Sequence, residues 1–151
     1  MPRLLVVHHT PSPPTHALLE AVREGATDPA LGDAVEVVVR PALVTSAVET
    51  LEADAYLLGT PANLGYMSGA LKHFFDTVYY PCLDATVGRP WGLWVHGNND
   101  ADGAVKAVER IVTGLRWKAA QAPVVVIGPP TADDLAACRE LGGALAAGLL
   151  L

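Results

Sequence analysis

Three hydroxyls stand close together near the start of the chain: Thr10, Ser12 and Thr15, in the spacing T-x-S-x-x-T. Ser12 reads as an N-cap with Pro13 at the first helical position, and Leu18, Leu19 and Val22 mark the helix that follows. A helix N-terminus offers unpaired N–H groups and the positive end of a dipole, so hydroxyls gathered there suit an anion such as a phosphate. Pro11, Pro13 and Pro14 bring no N–H of their own, so side chains, His9 or His16 among them, must make up the missing donors. The equal alternative is an ordinary Ser-capped helix begun by proline. A second polar stretch, Thr60 to Met67, holds Pro61, Ala62, Asn63, Leu64, Gly65 and Tyr66; a third opens His96-Gly97-Asn98-Asn99.

These stretches sit between regular elements. Apolar runs at Leu4 to Val7, Val35 to Val39, Tyr56 to Leu58, Trp91 to Val95 and Pro123 to Ile127 read as strands, several of them covered on both faces. Between them lie helical patterns. Pro41 to Leu51 forms a short helix with Val44, Ala47, Val48 and Leu51 on one face. Ser68 caps a helix carrying Leu71, Phe74, Phe75 and Val78, and Tyr79 to Pro90 reads as a connection. Val105, Val108, Ile111 and Val112 mark the next helix, with Gly114 as its C′ residue; Asp133 or Asp134 opens the last. Five strands alternating with helices predict a single α/β domain over 1–151, one parallel sheet with helices on both faces. Ligands of such sheets bind beyond the carboxyl ends of the strands, where strand order reverses. The polar stretches follow strands one, three and four, so they are expected to converge there.

Composition narrows the classes. Of 151 residues, 51% are apolar and 17% charged, as in a globular chain that buries a core. A net charge of −6 with no Lys/Arg run speaks against nucleic acid. No stretch is apolar for long enough to span a membrane, and the first residues do not make a signal peptide, so a cytoplasmic protein is expected. Cys82 and Cys138, far apart, read as reduced structural thiols. Asn98-x-Asp100-x-Asp102-Gly103 looks like a fragment of a calcium loop, but no metal site is read into it. G-x-S-x-G, P-loop and G-x-G-x-x-G motifs are absent.

The run Gly59-Thr-Pro-x-x-x-Gly65-x-Met67-Ser68-Gly69, with Lys72 and Phe75-Asp76, resembles the flavin-ring loop of the flavodoxin-like NAD(P)H:quinone oxidoreductases and FMN reductases. The resemblance implies a flavodoxin-like three-layer sandwich with a five-stranded parallel sheet of order 2-1-3-4-5, binding FMN without a covalent link. The first loop, Thr10, Ser12, Pro13, Pro14 and Thr15, then takes the phosphate, departing from the T-x-T-G-x-T pattern of flavodoxins by Pro13 in place of the glycine. Pro61, Ala62, Asn63, Leu64, Gly65 and Tyr66 lie along the ring, with Tyr66 for stacking and Asn63 or the Leu64 backbone at N5. His96, Gly97 and Asn98 face the N1 edge. The activity implied is hydride transfer from NAD(P)H to FMN and on to a quinone or similar small acceptor, with no catalytic acid or base; a homo-oligomer is compatible with it. The alternatives are a flavodoxin-type electron carrier, and a scaffold whose proline-rich loop has lost phosphate and flavin.

Overall fold

The computed structural model describes all residues, Met1–Leu151. The first strand, β1 (Arg3–His8), has no solvent exposure from Leu4 to Val7, because strands pair on both sides of it and helices cover both faces. The chain continues through α1 (Pro13–Ala26), β2 (Glu36–Pro41), a 3₁₀ turn at Ala42–Val44 and α2 (Ala47–Glu52). Next come β3 (Ala55–Asn63), β4 (Tyr66–Met67), α3 (Gly69–Cys82), β5 (Pro90–Gly97) and α4 (Asp102–Leu115). The remainder is β6 (Lys118–Ala119), β7 (Val124–Ile127) and α5 (Ala132–Gly148). The sheet runs β2-β1-β3-β5, with β6 and β7 both pairing parallel to β5. Its five principal strands follow the expected 2-1-3-4-5 order.

Two cores flank the sheet. On one face Leu4, Val6, Leu57 and Trp94 pack against Leu18 and Val22 of α1 and Leu141 and Leu145 of α5. On the other, Leu5, Val7, Leu58 and Leu93 pack against Leu71, Phe74, Val108 and Val112 of α3 and α4. Met67 and Phe74 belong to this second core, and buried Tyr56 stacks on Trp117 at 4.0 Å between ring centroids. Helices α1 and α5 cross in backbone contact. A Cβ on Gly25 would lie 1.8 Å from the Arg139 carbonyl oxygen, and one on Gly142 would lie 2.1 Å from that of Val22.

Local differences from the sequence reading have physical causes. The segment 60–67 is not an open loop: β3 continues to Asn63 and folds back as β4, with Ala62 opposite Met67 and Asn63 opposite Tyr66. The connection expected from Tyr79 begins later, because α3 carries on through Pro81, whose missing N–H falls in the final turn. Gly114 lies inside α4, and the left-handed residue that ends the helix is Arg116, at φ 59°. What Gly114 supplies is space, since a Cβ there would stand 2.3 Å from the Tyr79 hydroxyl. The expected 41–51 helix breaks at Thr45–Ser46, where Ser46 and Glu49 form a capping box, so Val44 and Val48 point to solvent. Thr131, not Asp133 or Asp134, caps α5. The expected fifth strand is present as β7, and a short β6 precedes it along β5. Pro90 pairs with Lys118, the Ala120 N–H still donates to the Trp91 carbonyl, and Trp94 pairs with Val124, so residues 121–123 bulge out of the ladder.

Candidate functional site

In a parallel sheet every strand ends at the same edge and every following helix begins there. The loops after β1, β3, β5 and β7 therefore share one rim, and β1 and β3, neighbours whose chains leave in opposite directions, form its centre. The His9 N–H donates to the Gly59 carbonyl at 3.0 Å and stitches the first loop to β3.

The first loop has few backbone donors to spare. The Ser12 N–H goes to the Thr15 hydroxyl at 3.0 Å, the Thr15 N–H to the Ser12 hydroxyl at 3.4 Å, and the His16 N–H to the Ser12 carbonyl at 2.9 Å. Thr15, only 3% exposed, donates its own hydroxyl to the Ser12 carbonyl at 2.9 Å. Ser12 and Thr15 are thus the two halves of a capping box on α1. Pro13 and Pro14 open the helix without donors. Outward-facing capacity comes from the half-buried Thr10, whose hydroxyl sits 3.0 Å from His8 Nδ1, and from Ser12. Three imidazoles, His8, His9 and His16, gather around this loop. Burial lowers the His8 pKa below its ordinary value, and the neighbouring His9, Arg23 and His16 push the same way.

The hairpin after β3 turns through Leu64 at φ 51° and Gly65 at φ 76°. Two consecutive left-handed residues make a type I′ turn, which suits the twist of its flanking strands. Leu64 is fully exposed at the tip. The hairpin leans on α4: a Cβ on Gly103 would lie 1.9 Å from the Gly65 carbonyl oxygen. Its root is fixed by Thr60, whose hydroxyl accepts from the Ser68 N–H at 2.9 Å, while the Ser68 hydroxyl caps α3 through the Leu71 N–H at 3.1 Å. Pro61 is buried and pairs across the ladder with His96; Ala62 is half-buried and Asn63 exposed. Tyr66, 41% exposed, borders a cleft with Gly103, Lys106 and Arg110 of α4.

At the end of β5, His96 is 8% exposed, and its Nε2–H donates to the Gly128 carbonyl at 2.8 Å. Gly128 returns its N–H to the Gly97 carbonyl at 2.8 Å. Gly97 is buried and Asn98 exposed. The Asp100 carboxylate accepts from the Asp102 N–H at 2.9 Å and turns the chain into α4. Glu109 stands at the twelfth position counted from Asn98, but α4 carries it about 10 Å along its axis from Asp102, so no calcium loop closes. No group of three or more His, Cys, Asp or Glu is arranged to hold a metal ion.

One feature of the rim was missed in the sequence. Asp133 and Asp134, in the first turn of α5, stand at the same edge as Asp100 and Asp102. The signal was available, since all helices of a parallel sheet start on one side. The edge thus runs from imidazoles and hydroxyls at β1 to carboxylates at α4 and α5. That donor set fits an anionic group at one end and a flat, hydrogen-bonding ring between the hairpin and the β5 loop.

No family model matches the chain. It is similar to a curated protein, the flavodoxin of Aquifex aeolicus (strain VF5), at 26% identity over 162 residues, spanning 97% of this chain and 86% of that protein. Among solved structures, a flavodoxin from the domain Archaea superposes with a TM-score of 0.83 at 21% identity, covering 99% of both chains. The WrbA-like flavodoxin protein of Agrobacterium tumefaciens gives 0.78 at 18% identity, over 98% of this chain and 97% of that one. Rubredoxin oxygen:oxidoreductase of Desulfovibrio gigas gives 0.82 at 14% identity, over 98% of this chain but 36% of that one. The protein has the flavodoxin-like fold. In extent it matches the free-standing members of that fold from end to end, and one portion of the larger oxidoreductase. No helix is long and apolar enough to cross a membrane. Cys82 and Cys138 are both free and buried, and burial pushes the Cys138 thiol up to about 11.

Proposed function

We propose that the protein binds FMN non-covalently at this rim and works as a flavodoxin-type electron carrier. The observation that carries the reading is the meeting of the first loop, the Asn63–Tyr66 hairpin and the His96–Asn98 strand end at the β1/β3 switch point, in a chain occupied throughout by one flavodoxin-like fold. FMN supplies the redox chemistry when bound. The Thr10 and Ser12 hydroxyls hold its phosphate, with the His9 and His16 imidazoles as further hydrogen-bonding groups. Asn63 and the Leu64–Gly65 backbone meet the polar edge of the ring, and the Gly97–Asn98 backbone meets the opposite edge. Asp100, Asp102 and the α5 acids line the approach and favour a basic partner surface. This acidic rim is what tips the reading from reductase to carrier.

A second reading keeps one observation in its favour. The Gly59-to-Gly69 stretch resembles the NAD(P)H:quinone oxidoreductase branch, and the WrbA-like structure is among the similar folds. On that reading NAD(P)H delivers hydride to the flavin and a small quinone removes the electrons. FMN titration with fluorescence detection tests the binding: a saturable change at micromolar protein is expected, and its absence removes both readings. Anaerobic mixing of the holoprotein with NADH or NADPH then separates them. The carrier reading expects neither to bleach the flavin, while reductive titration proceeds in two resolved one-electron steps. Rapid bleaching, reversed by a soluble quinone, would replace it with the reductase.

A further inference from the structure

The chain has ten Lys and Arg residues, and most are spoken for. Arg3, Arg23, Arg40, Lys72 and Arg116 hold carboxylates. Arg89 donates to the Leu51, Ala53 and Ala85 carbonyls. Of the remaining four, Lys106 and Arg110 stand one turn apart on α4, both exposed and neither in a salt bridge, although Asp102 lies one turn before Lys106 and Glu109 is next to Arg110. Like charges at that spacing repel and weaken a helix unless something anionic settles between them.

What surrounds the pair is aromatic. Arg110 and Ile111 line a cleft of about 340 Å³ with Lys72, Phe75, Asp76, Tyr79 and Tyr80 of α3. They also line a second, of about 380 Å³, with Tyr66, Gly103 and Lys106. The two meet along α4 and are of ligand size. Buried Phe75 lines the first cleft, and Tyr80, 81% exposed, lies edge-on to Tyr79 at 5.3 Å between ring centroids. The only carboxylate lining either cleft, Asp76, is already paired with Lys72. Exposed tyrosine faces can stack a flat ring, and a guanidinium fork with an ammonium one turn away can take phosphate oxygens. A bare anion would leave the tyrosines unused, and an apolar ring would leave the cations unused.

We infer that the α3–α4 cleft is a second binding site, separate from the rim, for an aromatic ring carrying phosphate, of the nucleoside diphosphate class. The site does not depend on the flavin reading, because none of its cations belongs to the rim. It touches the rim along the hairpin: Tyr66 lines the cleft, and Gly103 carries the backbone on which the Gly65 turn rests.

The test is titration of the full chain with ADP, followed by amide chemical shifts, with and without saturating FMN. Saturable shifts are expected at Tyr80, Lys106, Arg110 and Ile111, in either condition. Adenosine and inorganic phosphate should each bind at least tenfold more weakly. The Lys106→Gln/Arg110→Gln double variant should lose at least tenfold in ADP affinity, and Tyr80→Ser should lose severalfold, while circular dichroism and FMN binding stay as they are. The inference is overturned by an absence of saturable shifts. It is equally overturned by shifts confined to the first loop and abolished by FMN, by unchanged ADP affinity in the double variant, or by inorganic phosphate binding as well as ADP.

Discussion

The three hydroxyls of the first loop look equivalent in sequence but should not behave alike when removed. Thr10 is half-buried and its hydroxyl meets His8 Nδ1 at 3.0 Å, so Thr10→Val removes a donor to the phosphate and, within the fold, that one contact. A hydrogen bond to a charged group contributes about 1.5–3 kcal/mol, and every 1.4 kcal/mol is tenfold in affinity. FMN should therefore weaken by roughly ten- to a hundredfold, with riboflavin unchanged. Ser12→Ala should do this and also cost about 1 kcal/mol of stability, because its hydroxyl caps α1 through the Thr15 N–H. Thr15→Val is the discriminating variant. Its hydroxyl is 3% exposed and bonded to both the N–H and the carbonyl of Ser12. Losing it orphans the Ser12 N–H, while the carbonyl keeps the His16 N–H, at about 1–3 kcal/mol of stability, yet the ratio of FMN to riboflavin affinity should stay as in the wild type. Paired flavin titrations by fluorescence quenching, alongside urea denaturation, read both quantities. If Thr15→Val lowers the ratio as far as Thr10→Val does, the capping-box reasoning is wrong. If riboflavin falls in step with FMN in all three variants, the loop is structural and holds no phosphate.

Other perturbations follow from the same geometry. Gly103→Ala places a methyl within 1.9 Å of the Gly65 carbonyl oxygen, so it should cost about 1–3 kcal/mol in a urea melt and weaken FMN and riboflavin together, because the hairpin must lift off α4. Leu64→Asn should gain stability, by about 0.5–1 kcal/mol, since Asn tolerates the left-handed conformation and fully exposed Leu64 has no packing to lose; a lower melting temperature would mean the leucine side chain packs in solution. His8 is held below its ordinary pKa of 6.5, chiefly by burial, so the unfolded chain takes up its proton first and stability must fall as pH drops below about 6.5. Denaturation between pH 7.5 and 5.5 should show that slope, and His8→Leu should flatten it.

Much of the architecture could be read before the structure because β1, β3 and β5 each carry an apolar run, Leu4 to Val7, Tyr56 to Leu58 and Trp91 to Val95, of the kind a doubly covered strand sustains. Helix starts at Ser12 and Ser68 were legible because capping is local chemistry. What escaped depended on partners distant in the chain. Gly114 reads as a helix stop until Tyr79 is seen to need its empty side. The hairpin at 64–65 was hidden because leucine is a poor advertisement for a left-handed turn. Thr15 reads as a phosphate-binding hydroxyl by spacing alone, and only the packing of α1 on the sheet shows it buried in the capping box. Asp133 and Asp134 were seen as a helix opening; the sheet topology is what brings them to the rim.

The bare-backbone crossing at Gly25 and Gly142 bears on when the rim can exist at all during synthesis. Helix α1, which carries the first loop, packs Leu18 and Val22 into a core shared with Leu141 and Leu145 of α5, and α5 is made after every other element of the fold. A nascent chain that has emerged only as far as β7 can pair its strands, but one face of its sheet lacks half its cover and α1 lacks its seat. Pairing of such distant segments comes late, because the loop-closure entropy must be met before the contact rewards it. On the proposed flavin reading, capture is expected only after synthesis is complete, so a ribosome-stalled chain ending before Thr131 should leave FMN fluorescence unquenched while the released chain quenches it.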